Sequence, residues 1–305
     1  MKIGIQCVIS EGCVLPVDQA IEAERRGFQF IAHGEHHHLP VATPVPDFYK
    51  NTGVPDFYRF VPDPLISLAS MATAAPKISV CTSILLLPIH DTIMVASRMA
   101  SLDFITAGRT MFGIGLGWNQ PELENHGVQF STRVDKAREQ LQAIKAMWSS
   151  ETTAFSGQFV NFTELWQGPK PVQKPHPPLL LGGRPLRKNF ALIAELFDGW
   201  LPTDTYAKTF GCNLAKDLQK LGESVEAAGR DPKTLRNMIL LAELMLYDRN
   251  PEQYAQAAPT RASLEFYEEL GFEWVLIGVP SFTRDHFNGA LDIIGDIATP
   301  WLDRR

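Results

Sequence analysis

The chain has no CxxC pair, and its four cysteines (Cys7, Cys13, Cys81 and Cys212) are too sparse for a disulfide scaffold. They read as reduced thiols of a cytosolic protein. No apolar run approaches the roughly 18 residues of a membrane span. The opening MKIGIQCVIS lacks the apolar core and cleavage site of a signal peptide and reads as a strand. Positive charge is short as well. The 28 Lys and Arg stand against 34 Asp and Glu, and the net charge of −6 argues against a protein that grips nucleic-acid phosphates. These absences predict a cytoplasmic chain with no membrane segment and no nucleic-acid partner.

What is present is enough for a large core. Hydrophobic residues make up 45% of 305, which excludes global disorder and fits two domains or one decorated α/β barrel. Short apolar runs alternate with amphipathic stretches. Strands are predicted at 2–8, 29–34, 78–87, 110–117, 179–181, 199–202, 237–247 and 274–279. Helices are predicted between them at 16–27, 64–75, from Asp91 to before Gly108, from a cap at Ser131 or Thr132 through Trp148, then at 187–197, 210–228, 259–270 and 285–297. Several strands are apolar throughout, as when both faces are covered. Eight strand–helix units favour a closed (β/α)8 TIM barrel over an open doubly wound sheet. A single barrel domain would span 1–305, with insertions after strands 2 and 4 and before strand 5, at about 39–63, 117–130 and 149–178. The first is proline-rich and contains a near-repeat: Val45-Pro46-Asp47-Phe48-Tyr49-Lys50 returns as Val54-Pro55-Asp56-Phe57-Tyr58-Arg59. An aromatic loop after strand 2 suggests a lid or an oligomer contact, Phe48, Tyr49, Phe57 and Tyr58 being placed to exclude water. The third insertion looks like a small hairpin around 155–159.

Four clusters carry candidate chemistry. His33-Gly34-Glu35-His36-His37-His38 ends a strand on the catalytic face of such barrels. It suits acid–base work, metal binding or plain hydrogen bonding. Alternation would put His33, Glu35 and His37 on one side and His36 and His38 on the other. Gly113, Gly115 and Gly117 clear one face of a strand, either for a flat ring or for tight packing. Gly182-Gly183-Arg184 opens a helix and could hold a phosphate on backbone N–H groups. Cys81-Thr82-Ser83-Ile84 ends strand 3 with small hydroxyl residues, suited to a ligand or to the core.

Taken in order, Gly34 to His38, Ser101-Leu102-Asp103 with Ala107-Gly108-Arg109, Gly113 to Asn119, Trp166 with 169–173, and Gly182-Gly183 with Asp198-Gly199-Trp200 form a specific set. The set resembles the bacterial luciferase-like flavin oxidoreductases over nearly the whole chain. Glu35 to Pro40 and Gly117-Trp118-Asn119 are most similar to the coenzyme F420-dependent branch. The resemblance implies a barrel with a flavin or deazaflavin ring at its C-terminal mouth. His36 would be the catalytic histidine, with Glu35 orienting it. Ser83–Ile84 falls where the family often has a cis peptide behind the ring. Gly115, Gly117 and Trp118 would line the ring, and Gly182, Gly183 and Arg184 would hold the phosphate. No metal is called for. The implied reaction is hydride transfer between coenzyme F420 and a small organic substrate, in a homodimer. The alternatives are an FMN-dependent monooxygenase using oxygen, a non-catalytic flavin-binding barrel, and a metal-dependent hydrolase on the histidine cluster. Trp118 stands where some F420-dependent dehydrogenases carry a carboxylate, which argues against a sugar-phosphate substrate.

Overall fold

The structure is a computed structural model that describes residues 1–50, 53–243, 254 and 256–303. Ten strands run β1 (Lys2–Cys7), β2 (Phe30–His33), β3 (Ser79–Leu86), β4 (Thr110–Gly115), β5 (Thr152–Ser156), β6 (Asn161–Trp166), β7 (Leu179–Gly182), β8 (Gly199–Leu201), β9 (Met238–Leu241) and β10 (Trp274–Val279). Eight of them form one parallel sheet in the order β8-β7-β4-β3-β2-β1-β10-β9, and β5 and β6 pair apart as an antiparallel hairpin. The ends of the sheet meet. Thr203 bridges to Leu240, the Leu240 N–H donates to Pro202 O at 2.9 Å, and the Arg236 N–H donates to Asp198 O at 2.8 Å. The result is a nearly closed (β/α)8 barrel. Closure depends on Gly199: a Cβ there would overlap the backbone oxygen of Arg236.

The helices follow as α1 (Pro16–Arg25), α2 (Pro64–Ala74), α3 (Thr92–Ile105), α4 (Gln120–Asn125), α5 (Arg133–Ser149), α6 (Arg187–Leu196), α7 (Asp204–Phe210), α8 (Leu214–Ala227), α9 (Arg261–Glu269) and α10 (Arg284–Leu302). Their starts obey local chemistry. Proline at the first helical position of α1 and α2 gives up an N–H that has no partner there. Asp63 accepts from Ile66 N at 2.9 Å and Asp91 from Met94 N at 2.8 Å, caps worth about 1 kcal/mol each. The buried face of α5 carries Ala137, Leu141, Ile144 and Trp148 against the sheet. Among the described residues no helix is long and apolar enough to cross a membrane.

Three expectations need correction. Thr132 stands at the cap position of α5, but its hydroxyl donates backward to Gln129 O and makes no cap bond. The helix expected at 210–228 begins only at Leu214, where Asn213 starts α8 by accepting from Lys216 N; Phe210 instead ends a separate helix, α7, which Gly211 closes in the left-handed region (φ 62°). The strand expected at 237–247 ends at Leu241, and 244–247 lie outside the described residues.

Two cores sit on either side of the strands. Between sheet and helices, Ile3, Ile31, Val80, Phe112, Leu179 and Val275 pack against the helical faces. Inside the barrel, Phe30, Met111, Leu180, Met238 and Trp274 form a plug, and Gly4 gives up its side chain to the ring of Phe30. Above this plug a cavity opens toward the C-terminal strand ends.

Candidate active site

The cavity is walled by residues at the ends of β1, β2, β3, β7, β8 and β9 and by the loop that follows β2. Its histidine is His36. The ring is buried, with 8% of its surface exposed, and Nδ1 lies 3.0 and 2.9 Å from the two carboxylate oxygens of Glu122, itself 1% exposed. An N–H at Nδ1 that donates to this carboxylate leaves Nε2 as a lone pair. Among the described residues Nε2 has no hydrogen-bond partner. The Tyr58 ring meets His36 edge-on at 4.7 Å, and Trp118 stands at 5.8 Å.

Glu35, one residue earlier, also lines the cavity, but it does not orient His36 as expected. Its Oε1 takes His37 Nε2 at 2.8 Å and His90 Nε2 at 2.9 Å, and its Oε2 takes the Leu86 N–H at 2.5 Å. Burial pushes this carboxyl up, but the bonds from His37 and His90 outweigh it and hold it at about 2. His37 is raised in turn by its bond to Glu35. From α5, Gln140 anchors the His90 carbonyl at 2.9 Å. The ligand atoms of Glu35, His37 and His90 lie within 4.8 Å of one another, close enough for a divalent ion. Here they satisfy each other instead. Side alternation survives past the end of β2: Glu35 and His37 meet each other, while His36 and His38 both reach α4, at Glu122 and Asn125.

The floor differs. His33 has both ring nitrogens buried without a protein partner among the described residues, as do Ser83 Oγ and Gln6 Oε1. All three residues line the cavity. Burial holds the His33 imidazole down at about 3, with Glu35 opposing, so it is neutral. Gln6 Nε2 donates to Ser83 O at 2.9 Å. The β3–β4 register slips between Thr82 and Leu85, and the Ser83–Ile84 peptide inside that slip is cis.

The glycines have a different use from the one expected for two of them. A Cβ at Gly115 would overlap Ile84 Cδ1, and one at Gly182 would lie 2.9 Å from Ile84 Cγ2. The cleared face of β4 therefore receives Ile84, and Gly115 and Gly117 are not cavity-lining residues. Ile84, Gly182, Gly183 and Trp118 are. Beyond Gly183, whose carbonyl accepts from Trp200 Nε1 at 2.8 Å, the chain turns into α6. Arg184 is stacked on the Phe210 ring at 3.8 Å rather than facing the cavity.

The near-repeat acquires a structural meaning. Each copy makes a short 3-10 turn, Asp47–Tyr49 and Asp56–Phe60, and the equivalent tyrosines meet, Tyr49 OH to Tyr58 OH at 2.8 Å. Phe57 stacks on Tyr58 at 4.7 Å. Tyr49, Phe57 and Tyr58 all wall the cavity, while the Phe48 side chain lies outside the described residues.

With this geometry in view, comparison with known proteins is decisive. Residues 16–289 match the family described as luciferase-like monooxygenase. The chain belongs to that family. An uncharacterized protein of Mycobacterium tuberculosis is 33% identical over 289 residues, 93% of this chain and 94% of that protein. The F420-dependent hydroxymycolic acid dehydrogenase of the same organism is 27% identical over 223 residues, 72% of this chain and 56% of that protein. The FMNH2-dependent dimethylsulfone monooxygenase of Pseudomonas putida is 29% identical over 117 residues, 37% of this chain and 32% of that protein. This luciferase-like protein is therefore an oxidoreductase of the F420- or FMN-dependent kind, and the hydrolase alternative falls. Glu122 is the site residue that the sequence did not flag. It sits in Gln120-Pro-Glu-Leu-Glu-Asn125, where its spacing differs in no way from that of Glu124, which is bonded to Gln120 on the surface.

Proposed function

We propose that this luciferase-like protein transfers a hydride between coenzyme F420 and a small alcohol or carbonyl compound. The observation that carries the reading is the His36–Glu122 pair, a cavity-lining histidine with one nitrogen held by a carboxylate and the other without a hydrogen-bond partner among the described residues.

The residues present fit such a cofactor. A buried polar atom without a partner costs about 1–3 kcal/mol. His33, Ser83 and Gln6 offer several of these along one floor. A flavin or deazaflavin ring has an edge of alternating N–H and C=O groups that would satisfy them. Ile84 would support its back face, with Trp118 beside it. Gly182 and Gly183, leading into α6, would hold the phosphate on backbone N–H groups. Arg184 is committed to Phe210 and is left out of that role. When bound, F420 would supply a ring carbon that accepts or gives a hydride.

His36 manages the proton. Its Nε2 takes the hydroxyl proton of an alcohol, or returns it to a carbonyl oxygen. Glu122 fixes the tautomer through Nδ1 and stabilises the imidazolium that forms, the role of the carboxylate in a hydrolytic triad. Tyr58 and Trp118, edge-on to the imidazole, limit water around it.

Fluorescence titration of the purified protein with F420 and with FMN tests this. Tight F420 binding with weak FMN binding is expected. FMN preference together with oxygen uptake would replace the reading with a monooxygenase, and binding of neither would overturn the assignment of the floor.

A further inference from the structure

The wall across from Gly182 and Gly183 has another character. Around the barrel, β7 and β1 are four strands apart, which sets them on opposite sides. Val8 and Ile9 follow β1, Leu240 and Ala242 come from the end of β9, and Phe57 and Val61 belong to the loop after β2. These six side chains are apolar. Glu35 is the one acid lining the cavity among the described residues, held ionised by His37 and His90, while Glu122 is buried behind His36 and bonded to it. Among the described residues no lysine or arginine lines the cavity. An anion entering on this side would meet the Glu35 carboxylate and lose its hydration without gaining a counter-charge.

We propose that the substrate is an uncharged, apolar alcohol or carbonyl compound, and that this wall, unlike the glycine side that would hold the cofactor phosphate, rejects phosphorylated and carboxylated substrates. The reacting oxygen rests on the hydride-transfer reading above; the apolar, uncharged character rests on the wall alone. The substrate lies against Ile9, Phe57 and Val61 with its oxygen at His36 Nε2. As an alcohol it loses the carbon-bound hydride to the oxidised deazaflavin and the hydroxyl proton to His36, leaving C=O. The reverse direction uses the reduced deazaflavin and the protonated histidine.

The test compares one skeleton in two charge states. Cyclohexanol and cyclohexanecarboxylate are titrated into the purified protein, with and without F420, and binding is read by ligand-observed NMR. The alcohol is expected to bind at least about tenfold tighter, the size of one fully lost favourable contact with its solvent shell. Val61→Arg and Ala242→Lys each place a cation on the wall, and each is expected to move the ratio at least about tenfold toward the carboxylate. Either variant suffices if the other fails to fold. Equal binding of the two probes, a ratio unmoved in the folded variants, or binding of neither probe would overturn the proposal. The F420 titration on the same samples separates the two readings. Loss of F420 binding with the ratio intact refutes the hydride-transfer reading alone, whereas F420 binding with the ratio lost refutes the substrate class alone.

Discussion

Two carboxylate–histidine arrangements stand side by side at one barrel mouth, on consecutive residues. At Glu35 the carboxylate serves two imidazoles and a backbone N–H. At His36 the relation is inverted: one cavity-lining imidazole is served by one carboxylate, and its second nitrogen has no hydrogen-bond partner among the described residues. The first arrangement is closed at the carboxylate, whose two oxygens are shared among three donors and tie the end of β2 to the turn after β3. The second is open. What distinguishes His36 is a buried carboxylate that it does not share, with its second nitrogen left over, not how many histidines surround it.

The largest expected effect strikes the open pair. His36→Ala should lower turnover by about 10²–10⁴-fold while leaving F420 affinity nearly unchanged. Steady-state rates beside a fluorescence titration decide it, and equal losses in both would dissolve the distinction between the pairs. Next comes the Glu35 cluster. Glu35→Gln removes the anion that pairs with buried His90 and exposed His37 and should cost about 3–5 kcal/mol in urea unfolding, chiefly through the buried His90 pair. A near-neutral result would mean that the cluster does not hold the mouth together. Glu122→Gln keeps the shape but removes the charge behind His36. A charge-assisted hydrogen bond of about 1.5–3 kcal/mol is lost, so turnover should fall about 10- to 100-fold with stability little altered. If Glu122→Gln instead unfolds the protein and spares turnover, the roles of the two carboxylates are reversed.

The smallest effect concerns the floor. His33 is held near 3, below its ordinary value of 6.5, so the unfolded chain binds the proton first. Its contribution is fully present above about pH 6.5 and is lost as pH falls toward about 3, by about 1.4 kcal/mol per unit. Glu35, held near 2, adds a loss of the same sign below about pH 4.5. His33→Gln should flatten the slope of stability between pH 6.5 and 5, and an unchanged slope would show that His33 is solvated.

Much of this was legible in the sequence because barrel strands are covered on both faces. Runs such as Leu179 to Leu181 and Trp274 to Val279 are apolar throughout, and proline, aspartate and glycine punctuate the chain between them. Even the side alternation of the histidines could be read, since period-two geometry outlasts the hydrogen bonds of β2. The partner of His36 could not, because it lies 86 residues away on a six-residue helix. Nor could the use of the glycines. A cleared strand face looks the same whether a ring or a neighbour's side chain fills it, and the filler, Ile84, comes from β3. The stacking of Arg184 could not be read for a similar reason: its aromatic partner, Phe210, belongs to a distant helix.

Gly199 closes the cylinder by having no side chain. One added methyl group would keep β8 from its seat beside Arg236 and leave the sheet with two free borders, on β8 and β9. Unpaired borders are adhesive, because each exposes a row of N–H and C=O groups ready to pair with another chain. At this position a hydrogen atom stands between a barrel that is indifferent to its neighbours and a sheet that recruits them.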